Sequence, residues 1–509
     1  MSLPEIVHPA GELPSVVEGA ADGPMVVDTY AGPVRVEWDA DATVTALGHF
    51  AFFVEYLKLS GRFDALVADC PLVYASGNAP AVRDVIGTAV LGILAGHWRY
   101  AHLTALRGDS VSPGLLGMNR VVSEDAVRRG FGKIDAAAGE GWLHRHLRET
   151  VEPLLSEPWV MDCDTTVKPL YGHQEGAVVG YNPHKPGRPS HAYHTFQICG
   201  VRLVLDVAVR PGNQLSSKHS EPHQWALLDA LPRASWPRLV RGDKDWGNER
   251  NMARCEQEGM PYLFKLRLTS GVKRSIEKLM GRGGWEDAGQ GWQGHEAQLR
   301  LQGWGRSRRV VMLRRRLPET LAVTVSSTDG QGDLFWTGTK PGTEVWEFAV
   351  LVTALDLEIR SLAQLYRDRG DSENPFDELK NQWGWAGFTT SDITRCQIMA
   401  RLIGLVYNWW TLYVRLADPD HHREALTTRS LLLNAVARQT RHAGQTRLRV
   451  TSSHGRREYV TAALQSIAKF FAELKQLTDA ERWACILSQA LRKYLRGRKL
   501  QPPPVLLPA

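Results

Sequence analysis

Cysteine is scarce in this chain and long apolar runs are absent. The 509 residues include six cysteines, none of which forms a Cys-x-x-C pair or lies in a cluster with histidine. This pattern favours neither a zinc site nor a disulfide framework, and a reducing cytosol is the expected compartment. The first residues lack a basic region followed by an apolar run, and no apolar stretch is long enough to span a bilayer. We therefore expect a soluble, unprocessed protein with no membrane partner.

An excess of acidic residues is also lacking. The net charge is +6, and this mild basic excess favours a polyanionic partner, although many proteins without such a partner carry as much. Hydrophobic residues make up 43% of the chain and charged residues 23%, as is usual for a soluble globular protein of several domains.

The amino-terminal part divides into two regions. Residues 1–40 are rich in Gly, Pro and Ala, which predicts a flexible arm with one hairpin from Met25 to Trp38. Residues 41–153 have apolar residues at helical spacing and are predicted to form a helical DNA-binding domain. Arg128 and Arg129 lie there on a short helix, which belongs either to a helix-turn-helix or to a bundle that braces the core.

The middle of the chain changes to the pattern of strands. Three strands are predicted at Trp159–Cys163, His194–Cys199 and Val201–Val209, and alternating helices and strands follow to residue 269. This order predicts an α/β fold with a ribonuclease H-like catalytic core over 154–269 and 349–400.

Two further regions complete the predicted architecture. A β-rich insertion is expected over 270–348, with strands such as Leu299–Leu301, Arg309–Arg315 and Thr320–Ser326. Residues 401–509 are predicted to form a C-terminal helical region, so helical regions flank the core on both sides.

Four residues have a spacing that indicates chemistry. Tyr366, Arg369, Glu373 and Lys380 stand at offsets of three, seven and fourteen, which fall on one side of an α-helix. A carboxylate flanked by two cations and a phenol suits a group that holds a metal ion beside a phosphate. This arrangement points to phosphodiester chemistry.

The same four residues resemble the Y-(2)-R-(3)-E-(6)-K signature of DDE transposases from bacterial insertion sequences. Two further segments of that family are present in the right order, Met161–Val167 and Val240–Gly247. The resemblance covers roughly residues 155–400 and implies a transposase that acts on double-stranded DNA, namely the terminal inverted repeats and the target. It also implies a homodimer on DNA and a bacterial, nucleoid-associated cytoplasmic location.

Three carboxylates are the expected catalytic residues and metal ligands. The resemblance assigns Asp164, Asp243 and Glu373, which would hold two Mg²⁺ ions, with Mn²⁺ as a substitute. Asp164 is expected just past the end of the first strand and Asp243 at the end of the fourth. Strand alternation does not choose between Asp162 and Asp164, and Asp245 is the alternative to Asp243.

Pro375 predicts a break in the helix that carries Glu373. A proline in a helix interior costs ~3 kcal/mol or more, so the chain is expected to break at residues 370–372 and to begin a new helix with Pro375 in its first turn. Tyr366 and Arg369 would then belong to the preceding helix.

Ten residues are expected to contact DNA. Arg369 and Lys380 suit phosphates, and Tyr366 suits the displaced DNA end. The stiff, basic loop from Tyr181 to His194 is expected to follow the DNA backbone, and an extruded base would stack on a tryptophan of the insertion. The remaining predicted contacts are Lys185, Arg188, His191, Trp346, Trp336 and the two arginines of the short helix.

The predicted activity is cleavage of element ends to leave 3′-hydroxyls, followed by joining to target DNA, with a hairpin as one route for the second strand. Two alternatives remain at the level of the sequence. One is a ribonuclease H-like nuclease without strand transfer, and the other is a catalytically inactive, domesticated DNA-binding protein.

Overall fold

The computed structural model describes residues 24–182, 185–317, 334–335, 346–451 and 456–502, with the backbone alone for 334–335 and 371–373. The chain divides into two compact units, Met1–Thr43 and Val44–Ala509. In the first unit, strands β1 (Met25–Thr29) and β2 (Gly32–Val36) pair antiparallel around a two-residue turn. The predicted hairpin is therefore present.

The second unit has a mixed α/β fold with fifteen α-helices among the described residues. The helices in chain order are α1 (Phe50–Ser60), α2 (Arg62–Ala68), α3 (Val82–Leu94), α4 (Ser112–Leu115), α5 (Glu124–Phe131), α6 (Ala136–Val151), α7 (Ser217–Asp229), α8 (Glu249–Gln257), α9 (Ser270–Met280), α10 (Ile359–Arg367), α11 (Glu373–Asn381), α12 (Ile393–Ala417), α13 (Ala425–Leu432), α14 (Arg457–Leu474) and α15 (Asp479–Ala490). The strands are β3 (Val44–Thr45), β4 (Val160–Pro169), β5 (Val178–Val179), β6 (Pro189–Ile198), β7 (Leu203–Pro211), β8 (Leu239–Gly242), β9 (Tyr262–Lys265), β10 (Glu286–Gly289), β11 (Trp292–Leu299), β12 (Arg308–Arg316), β13 (Leu334–Phe335), β14 (Trp346–Thr353), β15 (Ala437–His442) and β16 (Gln445–Val450).

One large mixed sheet organises the unit. One part of it has the order β7-β6-β4-β8-β9, in which β6 is antiparallel to β7 and β4, while β4, β8 and β9 are mutually parallel. The strands β6 and β7 are buried along most of their length, because helices cover both faces of this part of the sheet. The carboxyl end of β8 lies beside Cys163 of β4, and β4 continues beyond that point to Pro169.

The region predicted as a separate insertion continues the same sheet. Strand β14 pairs antiparallel with β9, and β12, β11 and β10 follow outward from β14. The predicted strand Leu299–Leu301 is wrong, because the strand there is β11 and ends at Leu299, and helix α9 precedes it. The predicted strand Thr320–Ser326 lies outside the described residues.

Helix α12 is the central helix of the C-terminal region. It is 25 residues long and almost entirely buried, and it packs against β7, α3, α6 and α15. The predicted boundary at residue 400 falls inside this helix. The helical prediction for 401–509 is wrong at one place, because β15 and β16 form a hairpin there that also pairs with β3. Among the described helices, none is long and apolar enough to cross a membrane.

The short helix α5 has the expected capping serine. Ser123 accepts a hydrogen bond from the Ala126 backbone nitrogen, and Arg128 and Arg129 both form ion pairs with Asp125 on the same helix. Both arginines are solvent-accessible, so their contact with DNA stays a prediction.

Candidate active site

Asp164 and Asp243 emerge from two neighbouring parallel strands. The register of β4 and β8 places Cys163 opposite Gly242, so each aspartate is the next residue along its own strand. Asp243 follows the end of β8, as predicted. Asp164 does not follow the end of β4 but lies within it, because the strand continues to Pro169 as the partner of β6.

Asp162 is held in a buried ion pair. The Arg241 guanidinium donates two hydrogen bonds to the Asp162 carboxylate, at 2.6 and 2.7 Å, and both side chains are at most 2% exposed. Burial raises the pKa of Asp162, and the hydrogen bonds from Arg241 oppose that shift. Arg241 also donates to the Leu365 carbonyl oxygen, so this pair ties β4 and β8 to helix α10.

Asp245 is occupied by contacts within the protein. Its carboxylate accepts hydrogen bonds from the Ser217 backbone nitrogen, at the first residue of α7, and from Arg267. Its backbone carbonyl accepts bonds from the Ser217 hydroxyl and the Asn248 amide, at 2.7 and 3.0 Å. Asp245 therefore holds the start of α7 against the loop after β8.

The turn that presents Asp243 requires a glycine. A Cβ atom on Gly242 would lie 2.4 Å from the Cγ atom of Trp246, whose side chain is buried. The Trp246 backbone nitrogen donates to the Asp243 carbonyl oxygen at 3.0 Å, which closes the turn. The buried indole beneath Gly242 thus fixes the direction in which the chain leaves β8.

The signature residues lie on two helices joined by a 3-10 turn. Helix α10 ends at Arg367, the turn spans Asp368–Ser372, and α11 begins at Glu373 with Pro375 in its first turn. The predicted break is present. Arg369, however, lies in the turn and not in the helix of Tyr366, so the four residues do not share one continuous helical face.

Arg369 turns inward and pairs with Asp164. Its Nη2 atom donates to Asp164 Oδ2 at 2.6 Å, and only 6% of the residue is exposed. Burial by itself would lower the pKa of Arg369, but the charges of Asp164, Tyr366 and Asp243 raise it above its usual value. The predicted phosphate contact is not available while this buried pair is intact.

Helix α11 is anchored by its buried side. Glu378 accepts hydrogen bonds from His422 Nε2, Trp383 Nε1 and the Ala425 backbone nitrogen, at 2.8, 3.1 and 3.0 Å. These contacts fix the helix that begins at Glu373. The Glu373 side chain lies outside the described residues, and no cluster of three metal-binding side chains occurs among those that are described.

A basic pocket lies beside the aspartates. It has a volume of about 790 Å³, and Asp243 and Asp245 are the acidic residues in its lining. Lys380 lines it from α11, and burial lowers the pKa of its ammonium while Asp377 and Asp164 oppose that shift. The cations of the lining are Lys168, Lys185, Lys244, Arg267, Lys273 and Lys380. A pocket with this charge suits a polyanion such as a nucleic-acid backbone.

Comparison with known families decides the assignment. A family model described as transposase DDE domain group 1 matches residues 80–472. The chain belongs to this DDE transposase family. The resemblance seen in the sequence is thereby confirmed, while the bacterial origin and the four-residue signature group stay predictions.

Two other comparisons add less. The transposase is similar to a solved structure, the cryo-EM structure of a piggyBac transposase synaptic complex with hairpin DNA, with a TM-score of 0.37 and 10% identity over 91% of this chain and 87% of that chain. No curated protein matches the sequence.

Lys168 of the transposase also lines the pocket, and the sequence did not single it out as a site residue. Lys168 shares a face of β4 with Asp164 by strand alternation, and burial lowers the pKa of its ammonium to about 8. His194 lies opposite Thr165, contacts its hydroxyl at 3.0 Å, and has a pKa lowered to about 4 by burial. The alternation was the available signal for Lys168.

The predicted DNA-binding loop of the transposase divides into two parts. Lys185 and Arg188 lie over the ring of Tyr171, at 5.1 and 4.8 Å from its centroid, and Tyr171 is 68% exposed. The prediction for His191 is wrong, because His191 belongs to β6, is fully buried, and has its Nε2 atom 2.8 Å from the Glu175 carbonyl oxygen. Its side chain is therefore inaccessible to DNA.

The predicted stacking tryptophans have different outcomes. Trp346 starts β14 and is half-buried, with the Arg314 guanidinium 4.5 Å from its ring centroid. The same guanidinium lies 3.9 Å from the centroid of Trp285, so Arg314 makes a cation–π contact with both rings. Trp336 lies outside the described residues. Base stacking by either tryptophan stays a prediction.

Proposed function

We propose that this DDE transposase cuts the ends of an insertion sequence by metal-dependent phosphodiester hydrolysis and joins the 3′-hydroxyl ends to target DNA. The observation that carries the proposal is the register of β4 and β8, which brings Asp164 and Asp243 to adjacent strands beside a basic pocket. Carboxylates from separate elements around one cleft are the donors that Mg²⁺ prefers.

A ribonuclease H-like core is part of the proposal. Three antiparallel strands, two parallel strands and the order β7-β6-β4-β8-β9 support it, together with helices on both faces. In such an open sheet, ligands gather at the carboxyl ends of strands, which is where Asp243 lies.

The donor set fits divalent metal. The Arg369 guanidinium forms an ion pair with Asp164, and the charge of Asp243 also raises its pKa. Both carboxylates therefore stabilise a positive charge in the same region. Asp164, Asp243 and Glu373 would hold two Mg²⁺ ions, with Mn²⁺ as a substitute. When bound, these ions would supply Lewis acidity toward the scissile phosphate and an acidified water.

The remaining residues would orient DNA. Lys380 would place its ammonium beside a phosphate, and Lys185 and Arg188 would contact the backbone at the outer edge of the pocket. Arg369 would exchange its contact with Asp164 for a phosphate oxygen when metal and DNA are present. We propose that two copies act together on the two element ends, and that the second strand is cut through a hairpin or by direct attack.

The test uses purified protein and a linear DNA substrate. The substrate contains the DNA that flanks the coding region on both sides, so that it includes both ends of the element. With Mg²⁺, the wild type should leave 3′-hydroxyls at the boundaries and join them to a supercoiled plasmid. D243N should lower cleavage by about a thousandfold, as expected for a lost metal ligand, while duplex binding is retained. The control D229N, at a solvent-exposed helix end, should cleave normally.

Three results would contradict the proposal. Cleavage that persists in excess EDTA would exclude the metal, and wild-type rates in D243N would exclude the site. Cutting without any joined product would favour a nuclease that lacks strand transfer.

A further inference from the structure

The hairpin formed by β15 and β16, residues Ala437–Val450, has one face that is rich in arginine. The strands pair antiparallel, and the turn at Ala443 and Gly444 has φ angles of 49° and 76°. Positive φ at both turn residues matches the right-handed twist of a tight hairpin, so the two strands form a regular ribbon.

The register sorts the side chains of this arginine hairpin onto two faces. Arg438 lies directly opposite Arg449, Thr440 lies opposite Arg447, and His442 continues the same face toward the turn. Arg438, Arg447, Arg449 and His442 are all solvent-exposed. On the opposite face, Leu448 and Val450 are half-buried. The cationic face therefore points to solvent.

The sequence around the hairpin supplies no counter-charge for this face. No aspartate or glutamate occurs between Glu424 and Glu458. In the described part of the chain, Arg438, Arg447 and Arg449 make no ion pair, whereas arginines elsewhere, such as Arg308 with Glu249 and Glu256, are paired repeatedly. Two like charges directly opposite each other on a sheet are destabilising, so their presence calls for an external anion.

The hairpin is fixed to the unit that contains the pocket. Strand β15 pairs with β3, and the Ala435 backbone bonds to Ala46 and Gly48 at 3.0 and 2.8 Å. The preceding helix α13 is tied to Gln382, two residues beyond Lys380, because Arg429 Nη1 donates to the Gln382 carbonyl oxygen at 2.6 Å. The cationic face is thus held rigidly relative to α11.

We propose that the arginine hairpin is a second DNA-binding surface, which contacts the phosphates of double-stranded DNA through Arg438, Arg447 and Arg449. A two-stranded ribbon fits the width of the major groove, and guanidinium groups bind phosphates with paired hydrogen bonds. The inference rests on the proposed function, since it adds a second DNA-contacting surface to the proposed transposase.

The test compares two triple variants that each remove three positive charges. R438Q/R447Q/R449Q removes the face. R306Q/R360Q/K475Q removes three exposed cations that are already paired with carboxylates. The probe is a fluorescein-labelled duplex of about three helical turns without inverted repeats, titrated over a range of salt concentrations.

Each lost phosphate contact lowers the slope of log affinity against log salt by about 0.9. The hairpin variant should therefore lose about 2.7 from the slope and bind roughly 10- to 100-fold more weakly at 0.1 M salt, while the control changes less than about twofold. R438K/R447K/R449K keeps the charge and should recover most of the slope. Equal losses in both triple variants, or no loss in either, would overturn the inference.

Competition identifies the ligand class. Duplex RNA of the same length and phosphatidylserine vesicles should displace the labelled duplex less effectively than unlabelled duplex DNA does. Equal displacement by either competitor would overturn the assignment to DNA.

End cleavage by the wild type separates the two proposals. If the wild type cuts element ends and the hairpin variant does so with unchanged KM and unchanged duplex affinity, the hairpin inference fails alone. If duplex binding depends on the hairpin but no cleavage occurs, the proposed function fails alone.

Discussion

The pair formed by Asp164 and Arg369 predicts that the two carboxylates proposed as catalytic, Asp164 and Asp243, differ in their effect on stability. In Asp164→Asn the side chain keeps its shape, but Arg369 loses the anion that lies 2.6 Å from its Nη2 atom. Arg369 is 6% exposed, so its charge stays buried after the substitution. Removing one partner of a buried pair costs about 3–5 kcal/mol, because the remaining charge loses its nearest counter-charge.

Asp243→Asn is the matched comparison. The Asp243 carboxylate accepts a hydrogen bond from the Asp245 backbone nitrogen at 3.1 Å, and an asparagine oxygen can accept the same bond. Within the described residues, no cation forms an ion pair with Asp243. We expect this variant to change the free energy of unfolding by less than about 1 kcal/mol.

The assay is urea unfolding at pH 7 in EDTA, followed by tryptophan fluorescence and by circular dichroism. The midpoint should be clearly lower for D164N than for D243N. Adding R369Q to D164N should recover part of the loss, with a coupling free energy of about 2 kcal/mol or more in a double-mutant cycle.

A D164N variant as stable as D243N, or more stable than the wild type, would refute this reasoning. The two carboxylates would then repel each other in the wild type, and removing one negative charge would stabilise the fold. Arg369 would not be the counter-ion of Asp164.

Three further predictions concern the surroundings of the site. His194 has a pKa of about 4 in the folded protein and about 6.5 in the unfolded chain, so the unfolded chain binds more protons between these pH values. The free energy of unfolding should therefore fall as pH falls from 6.5 to 4. Unfolding titrations at several pH values should show that H194Q removes about 3 kcal/mol of this loss. R241M should destabilise the protein by about 3–5 kcal/mol because it leaves Asp162 buried and unpaired, and the double variant R241M/D162L should recover most of it in thermal unfolding. K185Q/R188Q should lower the salt slope of duplex binding by roughly 2, and an unchanged slope would remove these residues from the interface.

The strand that carries Asp243 was predictable because its signals are local. Leu239 and Val240 form an apolar run and Gly242 ends it, so the sequence predicts a strand that ends just before Asp243, and β8 does end at Gly242. The helix break near Glu373 was predictable for the same reason, since one proline forbids a continuous helix at that place.

The loop predicted before His194 failed because its signals were misleading. Prolines and a glycine around Arg188 indicate a loop, yet β6 begins at Pro189 and is buried between β4 and β7. The Nε2 atom of His191 contacts a carbonyl oxygen 16 residues away in sequence, and the Nε2 atom of His194 contacts one 20 residues away. No local pattern reveals such partners, so polar residues in a buried strand resemble a solvated segment.

The ion pair between Arg369 and Asp164 could not be predicted from the sequence, for a stronger reason. Asp164 lies 205 residues away, and the direction of the arginine depends on a 3-10 turn that the spacing alone does not predict. The resemblance to a family gave the positions of the signature residues along the chain. It did not give their directions.

Those directions change how the proposed site works. Arg369 remains charged at any ordinary pH, so loss of its proton does not release Asp164 from the pair. Another cation beside Asp164, or a phosphate in competition for the guanidinium, can do so. Asp243 lines the pocket and has no such competitor among the described residues. In the site that we propose, an incoming divalent ion would therefore meet an accessible carboxylate at Asp243 and, at Asp164, a carboxylate that is paired with Arg369. Because a DNA phosphate is a suitable partner for the displaced guanidinium, we expect the proposed site to be complete only when metal and DNA are bound together.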